Sequence, residues 1–239
     1  MMATVCWFSA GVSSAVAAAL SPGCELVRIH IDDEHPDNAR FAEEVAERLG
    51  AELTVLRSPY GSVANVARSQ RYINGPAGAP CTRLLKRRVR ELWERENPGQ
   101  HVYVWGFDSD EAHRLRRMRD KEPCHIHEAP LVSRGIDKNQ AHGLFGRLFP
   151  SLSRPAMYGL GYRNNNCIGC VKGGKGYWNR IRQDFPGVFA ARAALEREIG
   201  ASCIRGVYLD ELDPTAGRFD EIEPSCGLAC LGVAAEEGK

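Results

Sequence analysis

The apolar positions of this chain follow two periods. Short runs rich in β-branched and aromatic residues, "TVCWF" from Thr4, "CELVRIHI" from Cys24, "AELTVLR" from Ala51 and "HVYVW" from His101, have the composition of buried strands. Between and after them the pattern turns helical. "VSSAVAAAL" has the alanine content of a helix packed closely on a sheet, and "DNARFAEEVAERLG" is amphipathic and ends on a glycine stop. Further along, the spacing predicts a basic amphipathic helix within "CTRLLKRRVRELWERE" and a glycine turn with a capped helix in "GFDSDEAHRLRRMRD". "CHIHEAPL" reads as a short strand, and "GIDKNQAHGLF" and "DFPGVFAARAALEREIG" read as helices. Pro150 to Trp178, dense in Gly, Asn and Pro, is expected to be an irregular loop. Strands alternating with helices at short spacing predict an α/β fold with a parallel sheet, in which ligands bind at the carboxyl ends of the strands.

One strand-to-helix junction is unusually small in its side chains. "SAGVSS", Ser9 to Ser14, joins the first strand to the first helix. A helix start aims free N–H groups and the positive end of the dipole at one spot, and small residues let a phosphate come close. Two readings stay open: a phosphate cradle, or a tight turn without a ligand. The loop is neither a Walker A sequence nor G-x-G-x-x-G. Asp32, after the second strand, falls on the same edge and suits either a ribose or adenine contact or a turn.

Composition adds three constraints. With 26% charged and 44% hydrophobic residues over 239 positions, the chain can bury one full core. No stretch approaches the roughly 18 apolar residues of a membrane span, and no basic flank precedes the first apolar run, so no membrane anchor is expected and the cytoplasm is the expected location. The net charge of +1 hides an asymmetry, because Arg83 to Arg182 holds 20 Lys/Arg against 10 Asp/Glu. That surplus suits a polyanion, either a nucleic acid or a phosphorylated nucleotide. Nine cysteines, an odd number at irregular spacing, do not suggest a secreted disulfide framework, whereas Cys167-x-x-Cys170 is a spacing that binds metal or does redox chemistry. Neither an internal repeat nor a low-complexity linker is present.

Together these segments resemble a known family. "SAGVSS" resembles the S-G-G-x-D-S PP-loop of the adenine nucleotide α hydrolases, and "WGFDSDEAHRLRR" resembles the Gly-x-Arg-x-x-Glu-Ser-x-x-Arg segment of its PAPS reductase branch. "CTRLLKRR" resembles the cysteine segment of that branch, which lies before a basic helix, and "YGLGYRNNNCIGCVKGGKGYWNRIRQDFPGVF" is similar to the later cysteine loop of a phage and bacterial subgroup described as PAPS reductase-like. The resemblance implies a Rossmann-like PP-loop domain over residues 1–150, with helices on both faces of a parallel sheet and a cysteine-containing extension over 151–239 packed on it.

By position, Ser9, Ala10, Gly11, Val12, Ser13 and Ser14 would cradle phosphate, Asp32 would lie near ribose or base, and Gly106, Glu111 and Arg114 would line the cleft. Ser13 stands where ATP-cleaving members carry Asp, which weakens magnesium-assisted cleavage. Cys81, Cys167 and Cys170 match the ligands of a [4Fe–4S] cluster in related enzymes, with zinc or plain buried thiols as alternatives. "SCGLAC" resembles a C-terminal Glu-Cys-Gly-Leu-His motif, with Ser225 and Ala229 in place of Glu and His. Cys226 would then be a nucleophile, a persulfide carrier or half of a Cys226/Cys230 pair. Three functions are implied. The first is an ATP-dependent sulfur transferase acting on a nucleic acid or another acceptor with a persulfide donor protein. The second is an APS or PAPS reductase served by thioredoxin, and the third is an inactive nucleotide-binding module.

Overall fold

The computed structural model of the chain describes residues 2–75 and 78–219. Five strands, β1 (Thr4–Trp7), β2 (Glu25–His30), β3 (Leu53–Arg57), β4 (Val102–Val104) and β5 (Ile126–Glu128), pair in the order β3-β2-β1-β4-β5. Every pairing is parallel. The chain winds outward from β1 in one direction through β2 and β3, then returns to β1's other side for β4 and β5. The strand order therefore reverses between β1 and β4, the position at which open α/β sheets form a ligand crevice at the carboxyl ends of their strands.

Alternation along each strand puts helices on both faces. Cys6, Leu26 and Val104 point into a core shared with α1 (Val12–Ala19), α2 (Asp37–Leu49) and the later helix α7 (Lys138–Leu148). Their neighbours Val5, Trp7, Val27 and Tyr103 point the other way, against Trp93 of α4 (Arg88–Glu96). The protein is α/β, with a Rossmann-like parallel sheet between two helical layers. Gly50 ends α2 in the left-handed conformation with φ of 59°, as its position after the last apolar residue predicts.

A third apolar cluster joins the C-terminal part to the ends of β2 and β3. Val63 and Val66 of α3 (Val63–Gln70) and Leu85 pack with Trp178 and Ile181 of α9 (Lys175–Asp184) and Leu195 of α10 (Pro186–Ile199). Asp33 fastens this junction. Its carboxylate accepts the Val63 N–H at 2.7 Å and pairs with buried Arg192 of α10 at 2.9 Å, while its carbonyl accepts the Ile168 N–H at 2.8 Å.

Three segments differ in detail from the sequence pattern. The basic helix after Cys81 opens as a π-helical turn, Thr82–Arg87, before α4. There the Ser58 hydroxyl donates to the Leu84 carbonyl at 3.0 Å, a tertiary bond that no local periodicity foretells. "GFDSDE" forms a 3-10 turn, Ser109–Glu111, and α5 (Ala112–Lys121) follows without a side-chain cap. The stretch after Pro150 is irregular except for a short turn of helix, α8 (Ala156–Gly159), and the start of α9. One further short helix, Pro130–Ser133, lies between β5 and α7.

Candidate functional site

The Ser9–Ser14 loop sits at the reversal point of the sheet. Ala10 adopts a left-handed φ of 52°, a conformation that costs an L-residue about 1–2 kcal/mol. Asn165, from the loop after α8, holds it there by donating from Nδ2 to the Ala10 carbonyl at 2.5 Å and to Asn38 Oδ1 at 2.9 Å. Within the loop, the Gly11 N–H donates to Ser14 Oγ at 3.3 Å, and Ser9 Oγ donates to the same oxygen at 3.1 Å. The Tyr158 hydroxyl accepts the N–H groups of Val12 and Asn165, and burial pushes its pKa up to about 12. A helix start leaves four N–H groups without intrahelical partners. Two are used by Ser14 Oγ and Tyr158; the N–H groups of Ser13 and Ser14 remain in the first turn, Ser13 half-buried and Ser14 buried against Gly106. Asn165→Ala is expected to lower stability by about 2 kcal/mol, because it leaves two acceptors beside the loop without donors; urea unfolding of the two proteins measures this.

The β4 side of the crevice is built against the same helix. A Cβ on Gly106 would lie 2.6 Å from Ser14 Cα and 2.7 Å from its N, so the backbone after β4 touches the first turn of α1. Two residues on, Asp108 is only 4% exposed and its Oδ1 has no hydrogen-bond partner. Burial, reinforced by Glu111, pushes its carboxyl pKa up, and Lys138 opposes this. Lys138 opens α7 and donates from Nζ to Asn164 Oδ1 at 2.6 Å. Burial pushes its ammonium pKa down, with Asp108 the leading charge holding it up. Glu111 forms an ion pair with Arg114, whose guanidinium lies 4.4 Å over the Phe107 ring. Arg114 is thus bound within the protein. With Asp110 acting on Asp108 and Arg163 on Lys138, three acids and three bases meet here.

Asp32 lies across β1 from this cluster, at the end of β2. Its carboxylate is 55% exposed, 3.4 Å from His30 Nε2 and 3.7 Å from Arg57 Nη1. Gly61, with φ of 67°, passes so close that a Cβ there would meet the Asp32 carboxylate. The structure therefore brings Gly106 against the first turn of α1, places Glu111 and Arg114 beside Asp108 and Lys138, and sets Asp32 on the other side of β1.

Cys81, Cys167 and Cys170 share a neighbourhood near the π-helical turn. Burial pushes the Cys81 thiol pKa up and takes that of Cys167 to about 12, and Cys170 adds to both shifts and to that of buried Cys203. The Tyr177 hydroxyl accepts the Cys170 N–H at 2.9 Å and donates to the Cys167 carbonyl at 3.1 Å. Among the described residues, however, no three His, Cys, Asp or Glu form a group that could hold a metal ion. As placed, these thiols do not make a ligand set for a cluster or for zinc. Cys226 and Cys230 lie outside the described residues. Elsewhere Cys6 and Cys24 are buried, and His127 uses both ring nitrogens, one on Trp105 Nε1 and one on the Glu122 carbonyl.

Among solved structures, the chain is similar to a phosphoadenylyl-sulfate (PAPS) reductase from Candida auris in its phosphate complex. The TM-score is 0.47 and the identity 14%, over 66% of this chain and 79% of that one. No family model and no curated protein matches the sequence.

Five residues near the loop and its β4 side were not singled out by sequence: Asn38 and Lys138, which stand in helices, and Asp108, Tyr158 and Asn165, which stand inside the quoted motif segments without a role assigned to them. Asn165 stands in an asparagine-rich loop next to the cysteine pair, which was the one hint available from sequence. Much of the basic middle segment turns inward. Arg90 is buried and pairs with Glu122 at 2.5 Å, Arg119 bonds the His127 carbonyl, and Arg182 bonds the Leu209 and Leu212 carbonyls. Arg83, Arg87 and Arg88 line an open groove of about 300 Å³ with Glu91, and Arg116 and Arg117 are exposed on α5. Among the described residues, no helix is long and apolar enough to cross a membrane.

Proposed function

We propose that this chain is an adenosine-nucleotide-binding enzyme that activates an acceptor with ATP, releasing pyrophosphate, and then transfers sulfur to it. The observation that carries the reading is the small-residue loop at the sheet's reversal point, with first-turn donors on Ser13 and Ser14 and a backbone contact that lets Gly106 close the crevice. The loop would hold phosphates, and Asp32 on the β2 flank would meet the nucleoside. In the reaction an acceptor oxygen attacks the α-phosphorus and pyrophosphate leaves. The terminal sulfur of a donor persulfide then attacks the activated carbon and displaces AMP, and a second thiol of the donor cleaves the S–S bond, which frees the thiolated acceptor and leaves the donor as a disulfide. Arg83, Arg87, Arg88, Arg116 and Arg117 would suit a nucleic acid acceptor, whose binding falls steeply with salt.

Assaying the protein with ATP, with APS or PAPS plus thiol, and with candidate acceptors tests this. The expected result is ATP binding with acceptor-dependent pyrophosphate release and no consumption of APS or PAPS. Thiol-dependent consumption of either sulfonucleotide, abolished by Cys226→Ser, would replace the proposal with a reductase. Tight ATP binding without turnover under any condition would leave a nucleotide-binding module.

A further inference from the structure

The fold leaves an open groove of about 530 Å³ between the later turns of α7 and the chain from Phe149 to Gly159. Phe145, Phe149, Leu152, Gly146, Gly159 and Arg154 are among the residues that line it. None of its lining residues belongs to the Ser9–Ser14 loop, nor are Asp32, Gly106, Glu111 or Arg114 among them. A space of this size is in the range that takes a small organic molecule.

Gly146 keeps part of that space open. A glycine inside a helix destabilises it relative to alanine, because it loses more chain freedom on folding. A positive φ, or a neighbour that leaves no room for a methyl, would require one. Gly146 has neither: its φ is not left-handed, and a Cβ there would meet nothing within 4 Å. Gly159, across the groove in α8, is in the same position.

Arg154 gives the groove its charge. Its Nη1 donates to the neutral ring of His142 at 3.0 Å, and among the described residues it makes no ion pair. Elsewhere, the buried or half-buried Arg28, Arg40, Arg90, Arg180 and Arg192 each sit on a carboxylate. A guanidinium stays charged and carries five N–H donors in a planar fork, so the Arg154 fork retains donors that the described residues do not use. No acidic side chain lines the groove.

We infer that this groove is a second ligand site, for a small aromatic carboxylate, with the carboxylate received in the Arg154 fork and the flat ring laid over the bare backbone of Gly146 and against Leu152. A carboxylate matches the fork with two parallel hydrogen bonds. One lining cation neutralises one negative charge, which favours a carboxylate over a phosphate dianion. A flat ring uses the surface that two glycines leave without side chains. The site is independent of what the Ser9–Ser14 loop binds.

The test titrates the full chain with two probes of the same shape, 2-naphthoate and the neutral 2-naphthamide, followed by ligand-observed NMR. Wild type is expected to bind the acid at least tenfold more tightly than the amide. Arg154→Gln should bring that ratio to within twofold of unity. Gly146→Leu should weaken both probes at least tenfold while its urea midpoint equals or exceeds that of wild type, because leucine is the better helix former and its side chain enters open space. A general folding defect cannot produce both patterns. Added ATP should leave the affinity for the acid unchanged. No binding of either probe, equal binding of the two by wild type, an unchanged ratio in Arg154→Gln, unchanged affinities in Gly146→Leu, a lowered midpoint in Gly146→Leu, or displacement of the acid by ATP each overturns the inference and leaves the nucleotide reading as it stands.

Discussion

Replacing Gly106 with alanine is expected to lower stability by about 3 kcal/mol, the upper end for overpacking a tight contact, and to abolish nucleotide binding with it. The added methyl would lie 2.6 Å from Ser14 Cα, 2.7 Å from its N and 2.9 Å from its Cβ. None of those atoms is the flexible end of a side chain, so relief requires moving either β4's continuation or the first turn of α1. That turn carries the Ser13 and Ser14 donors, and its position is also set by Tyr158 through the Val12 N–H. Gly106 has no left-handed φ, so the requirement is for space alone. Chemical denaturation and ATP titration of Gly106→Ala measure the two effects. Serine, equally small but still bearing a Cβ, should behave like alanine. A variant with wild-type affinity would show that the crevice tolerates a wider opening than the contact suggests.

The same residue marks how far the sequence could be read. Strands β1 to β4 were legible because each combines β-branched residues with glycine or polar punctuation. The stop at Gly50 was legible because a left-handed residue after an amphipathic run has few alternatives. The Ser9–Ser14 loop was legible as a small-residue junction, and Gly106 as a motif position. What sequence could not supply was the partner of each. Gly106 is small because Ser14 backbone abuts it. Ala10 tolerates a positive φ because Asn165, far along the chain, bonds its carbonyl.

Charge was harder to read than hydrophobicity for the same reason. A helix as basic as α5 looks like an anion surface until Arg114 is found on Glu111 and Phe107, and Arg119 on the His127 carbonyl. The cysteine spacing likewise brings Cys81, Cys167 and Cys170 into one region without fixing the distances that a metal demands. Asp108 shows the converse case. In sequence it resembles a helix cap, and its carboxylate does receive the Asp110 N–H, yet its Oδ1 is left buried and unpartnered among the described residues.

Acid is expected to destabilise the protein through a single histidine on α7. His142 is 3% exposed, and burial followed by the adjacent Arg154 brings its pKa down from 6.5 to about 3. Arg154 Nη1 lies 3.0 Å from His142 Nδ1. Because a guanidinium can only donate, Nδ1 is the acceptor and the ring is neutral with its proton on Nε2. In the unfolded chain the same ring titrates near 6.5. Between the two values the unfolded state binds a proton that the folded state refuses, so stability is full above pH 6.5 and falls as the pH is lowered toward 3. At about 1.4 kcal/mol per pH unit, the loss from this one group reaches about 4 kcal/mol at the acid end. The ring packs edge-on to Tyr158 with centroids 4.5 Å apart, and Tyr158 holds the start of α1. Protonation should therefore disturb the Ser9–Ser14 loop as well as the core. Urea unfolding of wild type and His142→Gln at intervals from pH 7 to pH 3 isolates the contribution, since glutamine can still accept from Arg154 but cannot be protonated. The two stability curves should converge as the pH falls, with the variant the flatter. Parallel curves would mean that His142 is protonated in the folded state without penalty, and that the acid sensitivity of the loop arises elsewhere.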